Sequence, residues 1–108
     1  MALEQIGEVV VAAEKRPIQL NFDDSRFEIW VGGQLAFLVF RLRGTKLTLI
    51  HTEVPPALQH QGLGEALANA ALQYARGQSL RVKVVCPFVT RFIAKYPEFQ
   101  DLVQSEDE

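Results

Sequence analysis

The sequence predicts an α+β domain of mixed α/β character: an antiparallel β-meander, then a strand-helix-strand crossover, then C-terminal helices. Three observations predict it. Strand-patterned segments between residues 18 and 54 are separated by short turns, two of them glycine-containing. An alanine-rich segment of helical period follows a glycine pair. A short alternating segment then runs into Cys86-Pro87 and a second helical run.

Residues 1–17 are an extension of ambiguous structure. Leu3, Ile6, Val9 and Val10 have helical spacing, but Val9-Val10-Val11 is β-branched and favours a strand, and Arg16-Pro17 should end whatever precedes it. Strands are expected at 18–22 and 26–31. Gly32-Gly33 fits a two-residue type I′ turn, in which both central residues need positive φ. The return strand, 34–42, is almost continuously apolar, as for a strand covered on both faces. A turn at Arg43-Gly44-Thr45 leads to a further strand, 46–54, with Leu47, Leu49 and His51 on one face and Thr48, Ile50 and Thr52 on the other. Pro55-Pro56 stops it.

A helix is expected over 63–76, burying Leu63, Leu67, Ala70, Ala71 and Tyr74, with Gly77 as its C-cap. A strand at 80–85 should lie parallel to the 46–54 strand, since a helix carries the chain back across the sheet. Helices at 88–95 and from Pro97 to near Val103 complete a domain of residues 18–103, leaving 104–108 as an acidic tail. Phe27, Trp30, Phe37 and Phe40 are assigned to the core.

Composition narrows the function. The chain has 108 residues, of which 48% are hydrophobic, enough for one core. A net charge of −2 is a poor footprint for nucleic acid or an anionic membrane. The basic residues are scattered, apart from Arg41 with Arg43 and the stretch from Arg76 to Lys83. The single cysteine, Cys86, allows no internal disulfide, and with two histidines off zinc-motif spacing no metal site is expected. No signal peptide or membrane span is visible, so a cytoplasmic location is the default.

The chemistry points to the stretch VPPALQHQGLGE, Val54 to Glu65. A strand, a loop, two glycines and a helix start make an anion site: the first amides of a helix lack intrahelical partners, and the macrodipole adds partial positive charge. The P-loop pattern fails for want of Lys-Ser or Lys-Thr after the last glycine. The dinucleotide pattern fails because Leu67 stands where its third glycine would be.

Gln59-x-x-Gly62-x-Gly64 after Val54-x-Pro56 resembles the acetyl-CoA loop of the GNAT superfamily of N-acetyltransferases. His51-Thr52-Glu53-Val54-Pro55, Cys86-Pro87-Phe88-Val89 and Tyr96-Pro97-Glu98-Phe99 resemble small stand-alone members of that superfamily, the N-acetyltransferase domain-containing proteins. The resemblance spans about residues 18–103. It implies a GNAT-like fold, acetyl-CoA or coenzyme A as acyl donor, and transfer of acetyl to a primary amine, of a small molecule or a protein lysine. The implied cofactor contacts are Thr52 and Val54 on the strand and Gln59, His60, Gln61, Gly62, Leu63, Gly64 and Glu65 on the loop and helix start.

Three side chains compete for the chemistry. Cys86 begins a helix, where partial positive charge favours a thiolate able to act as nucleophile or base; a lone cysteine is otherwise a small buried hydrophobe. His51 and Glu53, two apart on a strand, share a face and could form a base with its orienting carboxylate, or a self-satisfied structural pair. Arg91 and Lys95 could meet the cofactor's 3′-phosphate or form a solvated helix face. Phe92 and Tyr96 depart from the superfamily's usual tyrosine acid and the family's usual histidine. The alternative function is a CoA or acyl-CoA sensor without efficient turnover.

Overall fold

The structure of the chain, a computed structural model, describes residues 8–11 and 16–103. Six strands form one sheet in sequence order: β1 Glu8–Val11, β2 Arg16–Asn21, β3 Arg26–Val31, β4 Gln34–Arg43, β5 Lys46–Glu53 and β6 Arg81–Val84. The first five are antiparallel neighbours. Helix α1, Leu63–Gly77, carries the chain across the sheet, so β6 lies parallel to β5. Helix α2, Pro87–Lys95, and a 3-10 turn, Pro97–Leu102, follow, and Val103 makes a parallel bridge to Val82.

Of the ambiguous start, Glu8–Val11 is strand, while Leu3 and Ile6 lie outside the described residues. β1 pairs Val10 with Pro17 and Val11 with Arg16, so Arg16-Pro17 opens β2 rather than ending a separate extension. Proline is tolerated there because it is near a strand's first position. Gly32 and Gly33 take φ of 57° and 82°, as the hairpin turn requires.

One face of the sheet carries the core. Ile18, Leu20, Phe27, Ile29, Ala36, Leu38, Phe40, Leu47 and Leu49 are buried there. α1 buries Leu63, Leu67 and Leu72 together with Ala66, Ala68, Ala70, Ala71 and Ala75. Alanine keeps the helix close to the strands while preserving helix propensity. Each fully buried leucine contributes about 1.5–3 kcal/mol over an exposed one. Tyr74 is half-buried, its ring edge-to-face with Phe27 at 5.8 Å.

Four expectations need correction. Trp30 is 56% exposed, because it alternates with Ile29 onto the face that α1 and α2 do not cover. Phe37, on the same outer face, is half-buried beneath the Arg26 guanidinium, 4.9 Å from its ring centre. β4 is accordingly buried at alternate residues rather than on both faces. Gly77 ends α1 but is not its left-handed cap: Ser79 takes the positive φ, 59°, and the amides of Gln78, Ser79 and Leu80 fold back onto the carbonyls of Tyr74, Arg76 and Ala75.

The correction with functional weight lies in β5. Val39 pairs with His51 and Phe40 with Leu49, leaving Ile50 as an extra residue. Such a β-bulge reverses the alternation that follows it. His51 therefore does not share a face with Leu47 and Leu49. It points outward with Ile50, and Thr52 turns to the helix side.

Candidate active site

The bulge shapes the site. The β5–β6 ladder ends where Leu49 pairs with Val84, and the amides of Val85 and Cys86 both donate to the Leu49 carbonyl, at 2.9 and 3.0 Å. β4 continues to pair with β5 as far as Glu53, but no β6 residue does so beyond Leu49. The last turn of β5 thus leaves one strand edge open beside the start of α2.

Past Glu53 the chain drops through a 3-10 turn, Pro56–Leu58, and the Gln59 side-chain amide donates to the Val54 carbonyl at 3.1 Å. His60 and Gly62 both adopt positive φ, 68° and 80°. Gly62 is the residue before α1, and no side chain caps the helix. The first amide to find an intrahelical carbonyl is that of Ala66, which bonds Gly62 at 3.0 Å. Among the described residues the amides of Leu63, Gly64 and Glu65 have no protein acceptor. The two glycines have different reasons. Gly62 supplies a left-handed backbone, and Gly64 supplies space: a Cβ there would lie 2.9 Å from Phe88 Cζ.

A cleft of about 640 Å³ opens at this point. That is within the range of ordinary small-molecule sites. Its walls are Thr52 and Val54 of β5, Leu58 to His60 of the loop, Gly62 to Glu65 at the helix start, and Phe88 and Arg91 of α2. Eight of the nine residues expected to meet a cofactor line it; Gln61, exposed, does not. Leu58 and Phe88 were not among the expected cofactor contacts. Phe88 stands 24 positions from the glycine it touches, and only the packing of α2 on α1 brings the two together. Arg91 sits over the Phe88 ring, 5.9 Å from its centre, and forms no ion pair among the described residues. Lys95 is instead tied to Glu65 at 3.0 Å, which raises its pKa above that of a free lysine, through the hydrogen bond first and the carboxylate's charge second.

The three candidate catalytic side chains divide between two places. Cys86 precedes α2, is 3% exposed, and lies with Sγ 3.3 Å from Thr52 Oγ1 at the parting of β5 and β6. His51 and Glu53 meet on the opposite face, with Nε2 2.7 Å from Oε1, and neither lines the cleft. A carboxylate only accepts, so this bond assigns a proton to Nε2 and leaves Nδ1 outside the pair. No group of three or more metal-ligating side chains occurs among the described residues, and no helix there is long and apolar enough to cross a membrane.

The site thus joins a bulged strand, parting from its parallel neighbour, to bare helix amides beside the opening. The chain belongs to the GCN5-related N-acetyl-transferase family, whose profile matches residues 26–102. It is similar to Protein NATD1 of Bos taurus, 33% identical over 86 residues, covering 75% of this chain and 76% of that protein. Protein NATD1 of Mus musculus is 30% identical over 101 residues, covering 89% of this chain and 84% of that one. A GCN5-like protein from Staphylococcus aureus, solved by NMR, superposes with a TM-score of 0.64 at 25% identity, covering 82% of this chain and 88% of that one. The protein is an acetyltransferase of mixed-sheet α+β architecture.

Proposed function

We propose that the protein transfers acetyl from acetyl-CoA to a primary amine, with the cofactor's diphosphate at the mouth of α1. The observation that carries this reading is the set of partnerless amides at Leu63, Gly64 and Glu65, opening into a cleft bounded by the free edge of β5. Backbone donors at a helix start suit a diphosphate, and Arg91 adds a cation without an internal partner among the described residues. His60 stands on the same wall, beside a phosphate or the adenosine. The backbone of Thr52 to Val54 offers an unpaired strand edge to the amide-bearing arm of the cofactor.

When bound, acetyl-CoA supplies an acetyl thioester that an amine can attack directly. An alkyl amine has a pKa of about 10.4 and must lose a proton to act as nucleophile. His51, held by Glu53, offers Nδ1 to accept that proton on the outer face of the sheet. Thr52 and Cys86, in contact at the opening, place a hydroxyl and a thiol where a departing thiolate can be protonated. Direct transfer needs no acyl-cysteine, and acetyl mass that stays on Cys86 without passing to an amine would exclude a covalent route.

Calorimetric titration with CoA tests the reading. Arg91→Glu places a negative charge on an exposed side chain and should weaken binding about tenfold or more. Gly62→Trp should abolish it, with circular dichroism reporting whether the fold survives. Unchanged affinity in Arg91→Glu together with a folded, CoA-binding Gly62→Trp removes the diphosphate site. Mass spectrometry on an amine panel with acetyl-CoA then reads turnover, and CoA binding without any acetylated amine assigns a sensor.

A further inference from the structure

The two basic stretches, set apart in the sequence, meet in the fold. Arg41 pairs across β4–β5 with Thr48, which pairs across β5–β6 with Lys83. Two residues along, Arg43 pairs with Lys46 and Lys46 with Arg81. Residues directly opposite in a sheet project to the same face, as do residues two apart on a strand. Five cations therefore form two adjacent rows on the outer face, on a chain whose net charge is −2. Like charges placed directly opposite destabilise a sheet. Among the described residues, none of Arg41, Arg43, Lys46 or Lys83 forms an ion pair. Among the described residues the Arg81 guanidinium reaches only the Asp101 carbonyl, at 3.5 Å.

This face is hollowed and adjoins the parting of the strands. A depression of about 400 Å³ is lined by Arg41, Arg43, Lys46, Thr48, Ile50, Lys83 and Val85. Ile50 is the bulged residue, next to His51, and Val85 is the first residue beyond the β6 ladder. At about 3.3 Å per strand residue, the Thr48 row lies roughly 7 Å from Ile50 and the Lys46 row roughly 14 Å. The His51–Glu53 pair, the strand opening and the cations thus lie in order along one face.

We infer that the outer face is the acceptor site and that it selects an acidic peptide, bound extended with its amine at the strand opening beside His51 and its carboxylates over the two cationic rows. This rests on the proposed acetyl transfer and names its substrate class. An extended chain carries same-side groups at twice the strand rise, which matches the spacing of the rows; a compact acid would meet only one of them. The half-exposed Ile50 and 53%-exposed Val85 give the peptide an apolar contact between amine and carboxylates.

The test uses the full chain and three fluorescein-labelled peptides bearing one lysine flanked by glutamates, by serines or by lysines. Anisotropy without CoA should show the acidic peptide binding most tightly, with affinity falling as salt rises. Arg41→Glu with Lys83→Glu, both exposed, should weaken it about tenfold and raise KM for that peptide while leaving kcat and the calorimetric affinity for CoA unchanged. Equal binding of all three peptides, or no effect of the double reversal while CoA still binds, overturns the assignment without touching the cofactor site. Loss of CoA binding in the unaltered protein overturns the cofactor reading instead, and the anisotropy still reports on this face. Tighter binding of a single-stranded oligonucleotide, or displacement of the peptide by inorganic phosphate at equal concentration, also overturns it. Peptide binding only after removal of residues 104–108 gives the face to the chain's own acidic tail and likewise overturns it.

Discussion

The two ends of α1 are built on opposite rules. At its C-terminal end the exposed carbonyls are met from within: Gln78, Ser79 and Leu80 donate back to the last turn. Arg76 then clamps the end, donating to both Asp101 carboxylate oxygens at 3.0 and 3.1 Å and to the Glu98 carbonyl at 2.9 Å. A cation there also complements the macrodipole. At the N-terminal end nothing caps the helix, the preceding backbone is left-handed at two residues, and three amides face a cleft. The proposed diphosphate site rests on that contrast: one end of α1 satisfies its own groups, and the other, among the described residues, leaves three amides without an acceptor.

The largest expected effect comes from filling the bare end. Gly64→Ala sets a Cβ against the Phe88 ring and should destabilise by about 1–3 kcal/mol, as overpacking does, read from the urea midpoint. The obstacle is one aromatic ring on α2, so Gly64→Ala should cost much less when made in a Phe88→Ala background than in the unaltered chain, whatever Phe88→Ala costs by itself. If the single change costs nothing, Gly64 was not required for helix–helix approach and its place in the loop is wholly for the ligand. If the Phe88→Ala background relieves that cost but lowers CoA affinity, Phe88 serves as cofactor wall as well as packing partner.

Cutting the clamp should do less. Arg76→Ala removes an exposed pair and one carbonyl contact, so the expected drop in Tm is smaller than for Gly64→Ala, with CoA affinity unchanged. A loss of CoA binding would show that the two ends of α1 are coupled and that the closed end positions the open one.

The contrast between the ends was only half legible in the sequence. The spacing of Gln59, Gly62 and Gly64, and the change from strand to helix period, located the open end and nearly all of its wall, because those signals are local. The closed end was misread at Gly77, since a glycine at a helix end usually marks the left-handed residue and here Ser79 carries it. The Arg76–Asp101 clamp joins residues 25 apart and left no periodic trace. The bulge at Ile50 was also hidden. Regular alternation placed His51 among the core leucines and Thr52 outside, and an extra residue exchanged them. No residue type in Leu49-Ile50-His51 announces a bulge, because it arises from the registry of β4 against β5 rather than from β5 alone.

The smallest effect is a pH dependence confined to the closed end. The hydrogen bond from Arg76, and then its charge, hold the Asp101 carboxyl below the usual aspartate range, and the side chain is exposed. A carboxyl whose folded value is depressed contributes stability that is complete above its unfolded value, about 3.9, and disappears as the pH falls through the lower folded value. Asp101→Asn should therefore lower Tm slightly at neutral pH, and the gap from the unaltered protein should close in acid. Added salt should narrow it at neutral pH as well, because an exposed pair is screened. A gap that persisted in acid would mean that Asp101 acts through hydrogen bonds an asparagine cannot reproduce, not through its charge. The closed end would then be held by shape, and the macrodipole would have no part in distinguishing the two ends of α1.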